Sequence, residues 1–183
     1  MEDAELVVGL RAGRAEAFDA AYALYGDRIH SFLARLAGRR DLADDLHQET
    51  FLQLARHAMR LAEDTDLKAW LYTVARNRFR SYWRWALLDR DRIREMGPGG
   101  AIDERTPHDD LAARVTREQL EAALAELPMA QREVLLLVAV EGLGQDQVAE
   151  VLGVAHDAVR QRLTRARAHL AERLAVDERR VKR

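Results

Sequence analysis

Apolar residues recur three or four positions apart along most of the chain, which is the spacing of one helix face. In the first half this pattern predicts four helices, at residues 3–12, 15–37, 41–57 and 67–87. The second helix shows the pattern most clearly, and Gly38 follows it at the position where a glycine commonly ends a helix. Its predicted inner side comprises Phe18, Tyr22, Tyr25, Ile29, Phe32, Leu33 and Leu36.

The pattern stops at residues 96–110, which contain two prolines, three glycines and several acidic residues. Such a composition is typical of a linker. Helical periodicity resumes at 111–127 and continues from Pro128 to Gly142. A short helix at 145–152 and a longer one after Gly153 complete the predicted set.

The fold class expected from these elements is all-α. Good helix formers dominate the 183 residues, and no run of alternating β-branched residues predicts a strand. We expect two small helical domains joined by a flexible linker. Their predicted bounds are 1–90 for the first domain, 91–110 for the acidic linker, 111–175 for the second domain and 176–183 for a basic tail.

Composition also excludes several classes of protein. The chain has no cysteine, which excludes disulfide frameworks and thiolate metal sites. The N-terminus is acidic and has no long apolar run, so we expect no signal peptide, and no segment is long enough to span a bilayer. A soluble cytoplasmic protein is the expectation.

Charge is segregated along the chain although the net charge is only -2. Residues 68–94 carry eight basic side chains against two acidic ones, and residues 156–183 carry nine against four. Residues 41–66 show the opposite balance, with seven acidic and two basic side chains. A chain that grips a polyanion at two places needs one basic segment in each domain.

The short helix, the turn at Gly153 and the longer helix have the spacing of a helix-turn-helix. Burial of Val159 and Leu163 would direct the opposite face outward, where Arg and Gln can reach base edges in a major groove. The outward set is Asp157, Ala158, Arg160, Gln161, Thr164 and Arg165. The side chains better placed for phosphates are Arg162, Arg167 and Arg173. A solvated, arginine-rich surface helix would show the same pattern.

The third predicted helix carries an acidic face of the kind that docks on a basic partner. Asp41, Asp45 and Gln48 share one exposed side, with Asp44 and Glu49 at its borders. The inward set is Leu42, Leu46 and Phe51. A metal site at Asp44, His47 and Glu49 is the weaker alternative, because at most two of these ligands share a face and nothing nearby completes the set.

The fourth predicted helix mixes aromatic and basic residues and holds all three tryptophans of the protein. Its aromatic set is Trp70, Tyr72, Phe79, Tyr82, Trp83 and Trp85, and its arginines are Arg76, Arg78, Arg80 and Arg84. Rings and arginines together supply stacking surfaces and phosphate partners for unpaired bases. The alternative is a core of Trp70, Val74 and Phe79 with solvating arginines, but Tyr82, Trp83 and Trp85 cannot all face one core.

In combination these segments resemble an extracytoplasmic-function sigma factor, the small class of sigma subunits of bacterial RNA polymerase. DDLHQETFL resembles the region-two helix that docks on the polymerase clamp. WLYTVARNRFRSYWR resembles the adjoining helix that melts and holds the minus-ten promoter element. LPMAQREVLLLVAVEGLGQDQVAEVLGVAHDAVRQRLTRARAHL resembles region four, whose helix-turn-helix reads the minus-thirty-five element.

The resemblance implies two partners, core RNA polymerase (its clamp coiled coil and flap) and promoter DNA, with an anti-sigma factor as a possible third. It implies no cofactor, no metal and no catalytic residue. The implied polymerase-binding set is Asp44, Asp45, Gln48 and Glu49. The implied minus-ten set is Trp70, Arg76, Asn77, Arg78, Tyr82 and Trp83, with a flipped base held by the loop at 60–67. The implied minus-thirty-five set is Arg160, Gln161, Arg162, Thr164, Arg165 and Arg167.

Three other classes compete with this interpretation. A transcriptional regulator with a dimerising or ligand-sensing helical domain would bind duplex DNA without polymerase. A helical enzyme or metal protein would need a nucleophile and base, a phosphate loop or a ligand set, none of which the sequence offers. A helical adaptor that binds only proteins leaves the two basic segments unexplained. The chain also departs from the family pattern at His47, usually aliphatic, and at Ser81, commonly aspartate.

Overall fold

The computed structural model describes residues 3–88 and 111–181, with side chains at 3–87 and 117–175. Within these ranges the regular structure is entirely helical, as the sequence predicts. The described residues form two compact units, one of 3–34 and 40–88 and the other of 35–39 and 111–181. The predicted linker at 91–110 lies outside the described residues.

Four helices and one short turn build the first unit. They are α1 (Asp3–Arg11), α2 (Ala15–Ala37), α3 (Arg40–His57), a 3₁₀ turn (Ala58–Arg60) and α4 (Leu67–Leu88). Each helix begins and ends within one residue of its predicted bounds, and only the 3₁₀ turn was not predicted. The chain leaves α2 through Gly38 at φ +67°, a left-handed conformation that glycine adopts without strain.

The core of the first unit is built from the apolar faces of its helices. At its centre the Phe32 ring of α2 meets the Tyr72 ring of α4 edge to face, with centroids 5.2 Å apart and both side chains fully buried. α1 approaches α2 closely at Gly9, where a Cβ atom would lie 2.6 Å from the Cβ of Ala17. Other fully buried side chains of this core are Leu6, Leu10, Ile29, Leu33, Leu54, Leu67 and Leu71.

One predicted core position of α2 is wrong, and a second is only partly right. Tyr22 is 48% exposed and Phe18 is half-buried, although both lie on the apolar stripe of the helix. Their rings pack against the Phe51 ring on α3, at centroid distances of 4.8 Å and 6.4 Å, and this contact leaves about half of Tyr22 exposed. Periodicity identifies the apolar stripe but not how far along the helix a neighbour covers it.

The second unit contains four α-helices. They are α5 (Leu111–Glu126), α6 (Met129–Leu135), α7 (Gln145–Leu152) and α8 (His156–Val181), and α6 continues into a π-helical segment at Leu136–Val140. The sequence predicts one uninterrupted helix up to Gly142 and gives no sign of the wider turn. α8 continues past residue 175, so the first six residues of the predicted basic tail extend this helix.

Buried side chains from α7 and α8 join the two helices of the predicted helix-turn-helix. Val148 and Leu152 on α7 and Val159 and Leu163 on α8 are all buried, while Ala149 and Val154 are half-buried. Gly153 joins the helices at φ +61°. The α7–α8 pairing is therefore held mainly by apolar contact.

A half-buried arginine holds the turn between α5 and α6. The guanidinium of Arg132 donates hydrogen bonds to the carbonyl oxygens of Ala125 and Leu127, the latter over 3.1 Å. These carbonyls lie at the C-terminal end of α5, where a helix leaves acceptors without partners. The side chain of Arg132 therefore supplies hydrogen-bond donors to these carbonyl oxygens.

Across the described parts of the chain, no helix is both long and apolar enough to cross a membrane.

Candidate functional site

α3 presents the predicted acidic face to solvent. Asp44, Asp45, Gln48 and Glu49 are all exposed, and Leu42, Ala43 and Leu46 on the opposite side are buried. The two sets alternate because each turn of 3.6 residues returns the chain to the same face. The apolar side fixes the helix to the core, so the four polar side chains are held on a rigid element.

Two of these acidic side chains have neighbours on other helices. The Asp44 carboxylate lies 2.7 Å from Nε2 of His30 on α2, and the Glu49 carboxylate lies 4.0 Å from Nε of Arg78 on α4. The first distance is that of a hydrogen bond, whereas the second is a loose ion pair. Asp44 therefore already has one partner within the unit, and Glu49 lies near the border with the surface of α4.

His47 lies behind the acidic face and packs among rings. Its centroid is 5.0 Å from that of Phe51, 5.7 Å from that of Tyr22 and 5.7 Å from that of His30. A shallow apolar pocket of about 210 Å³ lies here, and its lining includes Phe18, Tyr22, His47, Phe51 and Leu52. Burial lowers the pKa of His47 below 6.5, and His30 lowers it further, against the opposing effects of a backbone hydrogen bond at Gly26 and the Asp44 and Asp27 carboxylates.

This lowered pKa predicts an acid-sensitive first unit. Neutral His47 is favoured in the folded state, so its contribution to stability is complete above about pH 6.5 and is lost as pH falls through the lowered folded-state pKa. The free energy of unfolding, measured by urea denaturation, should fall between about pH 7 and about pH 5 more steeply in the native chain than in His47→Leu.

His57→Gln is the matched control, because His57 is an exposed histidine on the same helix. Its pH profile should follow that of the native chain. Parallel profiles for the native chain and His47→Leu would contradict the prediction.

α4 exposes part of the predicted minus-ten set. Asn77 and Trp83 are exposed, while Trp70, Arg78 and Tyr82 are half-buried. The expectation that at least one of the three C-terminal aromatic rings faces outward is confirmed, since Trp83 and Trp85 are 36% and 48% exposed. Trp83 lies one turn after the buried Phe79 and its ring packs on that of Phe79, so the exposed rings and basic groups of α4 do not all share one side of the helix.

Arg76 does not belong to this surface. It is only 5% exposed, because it lies one turn from Tyr72 and less than one turn from Phe79, both of which are buried. Arg76 therefore shares the inner face of α4 and presents no guanidinium to a phosphate in this structure. Helical spacing alone would have placed it there, since residues 72, 75, 76 and 79 form one stripe.

Two side chains absent from the predicted sets lie beside the α4 surface. Gln53 and His57 on α3 line a cleft together with Trp70, Asn77 and Arg78 of α4. With Glu49 they form a polar stripe at every fourth position of α3. That spacing is the signal that could have identified them.

The loop between the 3₁₀ turn and α4 is closed by local bonds. The Asp66 side chain accepts the N–H of Ala69 over 2.8 Å and so caps α4, and the Thr65 hydroxyl donates to the carbonyl of Ala62 over 2.8 Å. Glu63 pairs with Arg11 of α1 at 2.8 Å. Three polar side chains of the predicted base-holding loop are thus engaged within the unit.

α8 presents the predicted basic face beyond the turn at Gly153. Val159, Leu163 and Ala166 are buried beneath it. The exposed members of the predicted set are Arg160, Gln161, Thr164, Arg165 and Arg167, and Arg162 is half-buried. Because the apolar stripe fixes the rotation of α8, the remaining side chains point away from the unit together.

Polar contacts restrain the start of this helix. Arg160 donates to the Asp157 carboxylate over 3.1 Å, and the Thr164 hydroxyl donates to the Arg160 carbonyl over 3.0 Å. His156 of α8 lies 3.6 Å from Asp146 of α7. Arg173, by contrast, donates to Glu126 of α5 over 2.7 Å and holds α8 within the unit, so it is less available for a phosphate than predicted.

The caps of the helix-turn-helix do not use Ser, Thr, Asp or Asn. At the start of α7 the Gln147 side chain accepts a hydrogen bond from the N–H of Gly144 over 2.8 Å, which gives a partner to one backbone donor at this helix N-terminus.

In the described part of the chain, no group of three His, Asp or Glu residues could hold a metal ion.

Comparison with known proteins identifies both units. Residues 21–86 match the family model for sigma-70 region 2, and residues 117–170 match the model for sigma-70 region 4. The ECF RNA polymerase sigma factor EcfG of Rhodopseudomonas palustris is 35% identical over 149 residues, which cover 81% of this chain and 80% of EcfG.

Two solved structures resemble the fold. One is CnrH in complex with the cytosolic domain of CnrY, with a TM-score of 0.72, 26% identity, and coverage of 96% of this chain and 98% of CnrH. CnrH is the RNA polymerase sigma factor of that name from Cupriavidus metallidurans. The other is the sigma factor RpoE in complex with the anti-sigma factor NepR from Bartonella quintana, with a TM-score of 0.71, 28% identity, and coverage of 89% and 99%.

Proposed function

Because the chain belongs to the extracytoplasmic-function sigma factors, it binds core RNA polymerase and directs it to promoters, and we propose that it does so through three separate surfaces. One surface docks on polymerase, one holds the melted minus-ten element, and one reads the minus-thirty-five element. The observation that carries the proposal is that α3, α4 and α8 each bury one face and expose another of the required charge or ring content.

The docking surface is the acidic face of α3. Asp44, Asp45, Gln48 and Glu49 are exposed on one rigid helix, so they can meet a basic surface without reordering the backbone. We propose that this surface meets the clamp coiled coil and that the second unit meets the flap. The first unit would correspond to residues 1–90 and the second to residues 111–175.

The minus-ten surface lies on α4. The stacking faces for an unpaired strand are the rings of Trp70, Tyr82 and Trp83. Asn77 adds an amide and Arg78 adds a cation. Each stacked base contributes about 1–3 kcal/mol, so two rings are enough to favour the melted state measurably. Arg76 is left out because it is buried.

The minus-thirty-five surface lies on α8. The first three turns of a helix that lies in a major groove reach the base edges. In α8 these turns carry Arg160, Gln161, Thr164 and Arg165. Arg162 and Arg167 are assigned to phosphates, which fix the register but carry no sequence information. The contact between Asp157 and Arg160 orients the guanidinium before DNA arrives.

Binding to polymerase is what makes two weak DNA contacts act together. When the enzyme holds both units, the second contact becomes intramolecular, and the effective concentration of each surface near its element rises. We infer that the isolated chain binds promoter DNA poorly. A dimeric regulator would do the opposite and bind duplex DNA without the enzyme.

Three further assignments follow from family membership. Sigma factors are transcription initiation factors, and we propose that this chain performs no covalent chemistry, which polymerase supplies. It would act in the cytoplasm, where polymerase and promoter DNA are found. Our proposal includes an anti-sigma factor as a regulator, because RpoE was solved with the anti-sigma factor NepR and CnrH with the cytosolic domain of CnrY.

Charge reversal on the docking surface tests the proposal. Asp45→Lys combined with Gln48→Lys should weaken binding to core polymerase about tenfold, since each exposed contact contributes up to about 1 kcal/mol and reversal adds repulsion. Co-purification with core polymerase and run-off transcription from genomic promoter fragments would measure the loss.

The control is Asp19→Lys with Glu16→Lys, which places two lysines on an exposed part of α2 and changes the net charge by +4 (+2 and +2), against +3 (+2 and +1) on the docking surface. The control protein should bind and initiate normally. Equal loss in both proteins would refute the docking surface, and absence of transcription with the native chain would refute the proposed function as a whole.

A further inference from the structure

The first turn of α8 carries a carboxylate at the centre of its exposed face. Successive residues of a helix are rotated by about 100°, so Asp157 lies about 180° around the axis from the fully buried Ala166. Gln161 and Thr164 lie within about 40° of Asp157 on the same face. The Asp157 side chain is 73% exposed. When this face enters a major groove, the carboxylate therefore points at the base edges.

A carboxylate in a major groove needs a hydrogen-bond donor. Phosphates border the groove, and a desolvated charge without a partner is costly. In the groove only cytosine and adenine present an amino group, at N4 and N6 respectively, whereas guanine and thymine present acceptors. A carboxylate placed there therefore favours bases with an amino group and disfavours the other two.

Asp157 is already bonded to Arg160 and retains the capacity for a second donor. Arg160 donates from one terminal nitrogen to Oδ1 of Asp157 over 3.1 Å. A carboxylate offers about four lone-pair positions, so this bond occupies only a part of its accepting capacity. A base amino group can therefore share the carboxylate with the guanidinium.

Together the two side chains match two neighbouring bases. Arg160 has five N–H donors, and its bond to Asp157 leaves others for O6 and N7 of a guanine. The bonded atoms of the pair lie 3.1 Å apart, and bases on one strand are spaced by about 3.4 Å. The guanidinium and the carboxylate can therefore meet consecutive bases, of which one offers acceptors and the other a donor.

A purely structural role is the competing explanation of Asp157. An acidic side chain in the first turn of a helix is favourable, and so is an ion pair to the residue three positions later. Neither effect requires the carboxylate to lie opposite the buried stripe. Asp157 is also the only acidic residue at 156–171, a segment with four arginines. A lone negative charge on such a surface opposes indiscriminate phosphate binding, which favours a role in specificity.

We propose that Asp157 is a specificity-determining residue of the minus-thirty-five surface, and that its carboxylate accepts a hydrogen bond from N4 of a cytosine next to the guanine contacted by Arg160. This inference deepens the proposed minus-thirty-five role and rests on it. It adds an acidic residue to a surface whose other assigned members are basic or neutral.

Base substitution in the selected element tests the assignment. Holoenzyme assembled from the full chain and core polymerase first selects promoter DNA from a pool randomised in the minus-thirty-five segment. Each position of the selected duplex is then changed to the other three bases, and the affinity is measured. At one position, thymine or guanine in place of cytosine should weaken native holoenzyme about tenfold, and adenine should weaken it less.

Asp157→Ala should remove the preference at that position and leave the preferences elsewhere unchanged. Its affinity should fall for the cytosine duplex and rise for the thymine duplex, because no unpaired carboxylate then opposes thymine. Asp157 is exposed, so its replacement leaves the core intact, and the melting temperature of each variant checks this.

Glu172→Ala is the matched control. It removes the same charge from an exposed position of the same helix, fifteen residues or about 22 Å further along the axis. The control should keep the preference for cytosine at the position that Asp157→Ala relaxes.

Three results would overturn the assignment. They are a selected element without a cytosine beside the guanine, an equal loss on all duplexes with Asp157→Ala, and a relaxation confined to the guanine position that Arg160→Ala also relaxes. The last of these would make Asp157 a positioning residue for Arg160. In each case native holoenzyme still selects a minus-thirty-five sequence, so the proposed function survives. If it selects none, the proposed function fails and the assignment fails with it.

Discussion

Replacing Arg160 and Arg165 together by alanine is expected to lower the affinity of holoenzyme for its minus-thirty-five element by at least about 30-fold. Each side chain is exposed on α8 above the buried Val159 and Leu163, so neither replacement opens the core. One bidentate contact between arginine and a base edge discriminates by about 1–3 kcal/mol, and two such contacts act on separate base pairs. Binding to core polymerase should be unchanged.

The measurement compares specific and mutated promoter duplexes at several salt concentrations. Arg167→Ala is the matched control, since it removes an exposed arginine of the same helix that we assign to a phosphate. It should weaken all duplexes equally and reduce the salt dependence by about one counterion. The assignment of base contacts is wrong if Arg160→Ala with Arg165→Ala also weakens all sequences equally.

Phe32→Ala is expected to lower the free energy of unfolding of the first unit by about 3–5 kcal/mol. Phe32 and Tyr72 are fully buried and meet edge to face at 5.2 Å, so truncation removes both the buried area and an aromatic pair. Single domains are stable by only about 5–15 kcal/mol, so the loss is a large part of the total. Docking and minus-ten binding should both weaken, because α3 and α4 depend on this core.

Tryptophan fluorescence during urea denaturation reports this unit selectively, since all three tryptophans lie on α4. Leu24→Ala is the control on the same helix, because Leu24 is 46% exposed and its loss should cost less than about 0.5 kcal/mol. If the two variants unfolded at the same urea concentration, the Phe32–Tyr72 pair would not be central to the core.

Several elements follow directly from periodicity. Helices α1 to α4 lie within one residue of their predicted bounds, because their apolar stripes are long and are bounded by glycines, turns or caps. The order of the acidic, aromatic and basic segments along the chain also predicts the family, and the matches to sigma-70 regions 2 and 4 confirm it. The residue roles at the three surfaces remain predictions, which the experiments above address.

Other features required the folded chain. The wide turn at Leu136–Val140 leaves no mark in the sequence, because every residue of the segment is apolar and a shift of register exchanges one apolar side chain for another. Tyr22 lies on an apolar stripe yet is exposed, because no neighbour extends over it. Arg76 lies on the inner face of α4, as its spacing from Tyr72 and Phe79 requires, so its charge is a misleading guide to its position.

The sequence by itself determined the helices, the separation of acidic and basic segments, and the family, because these depend on spacing along one chain. Only the tertiary structure decided which side chains meet across helices. It brings Gln53 and His57 to Trp70 and Asn77, and it brings His30 to Asp44. The physical reason is that a helix repeats every 3.6 residues whatever surrounds it, whereas a cleft or a buried pair exists only once two helices have packed at one rotation and one register.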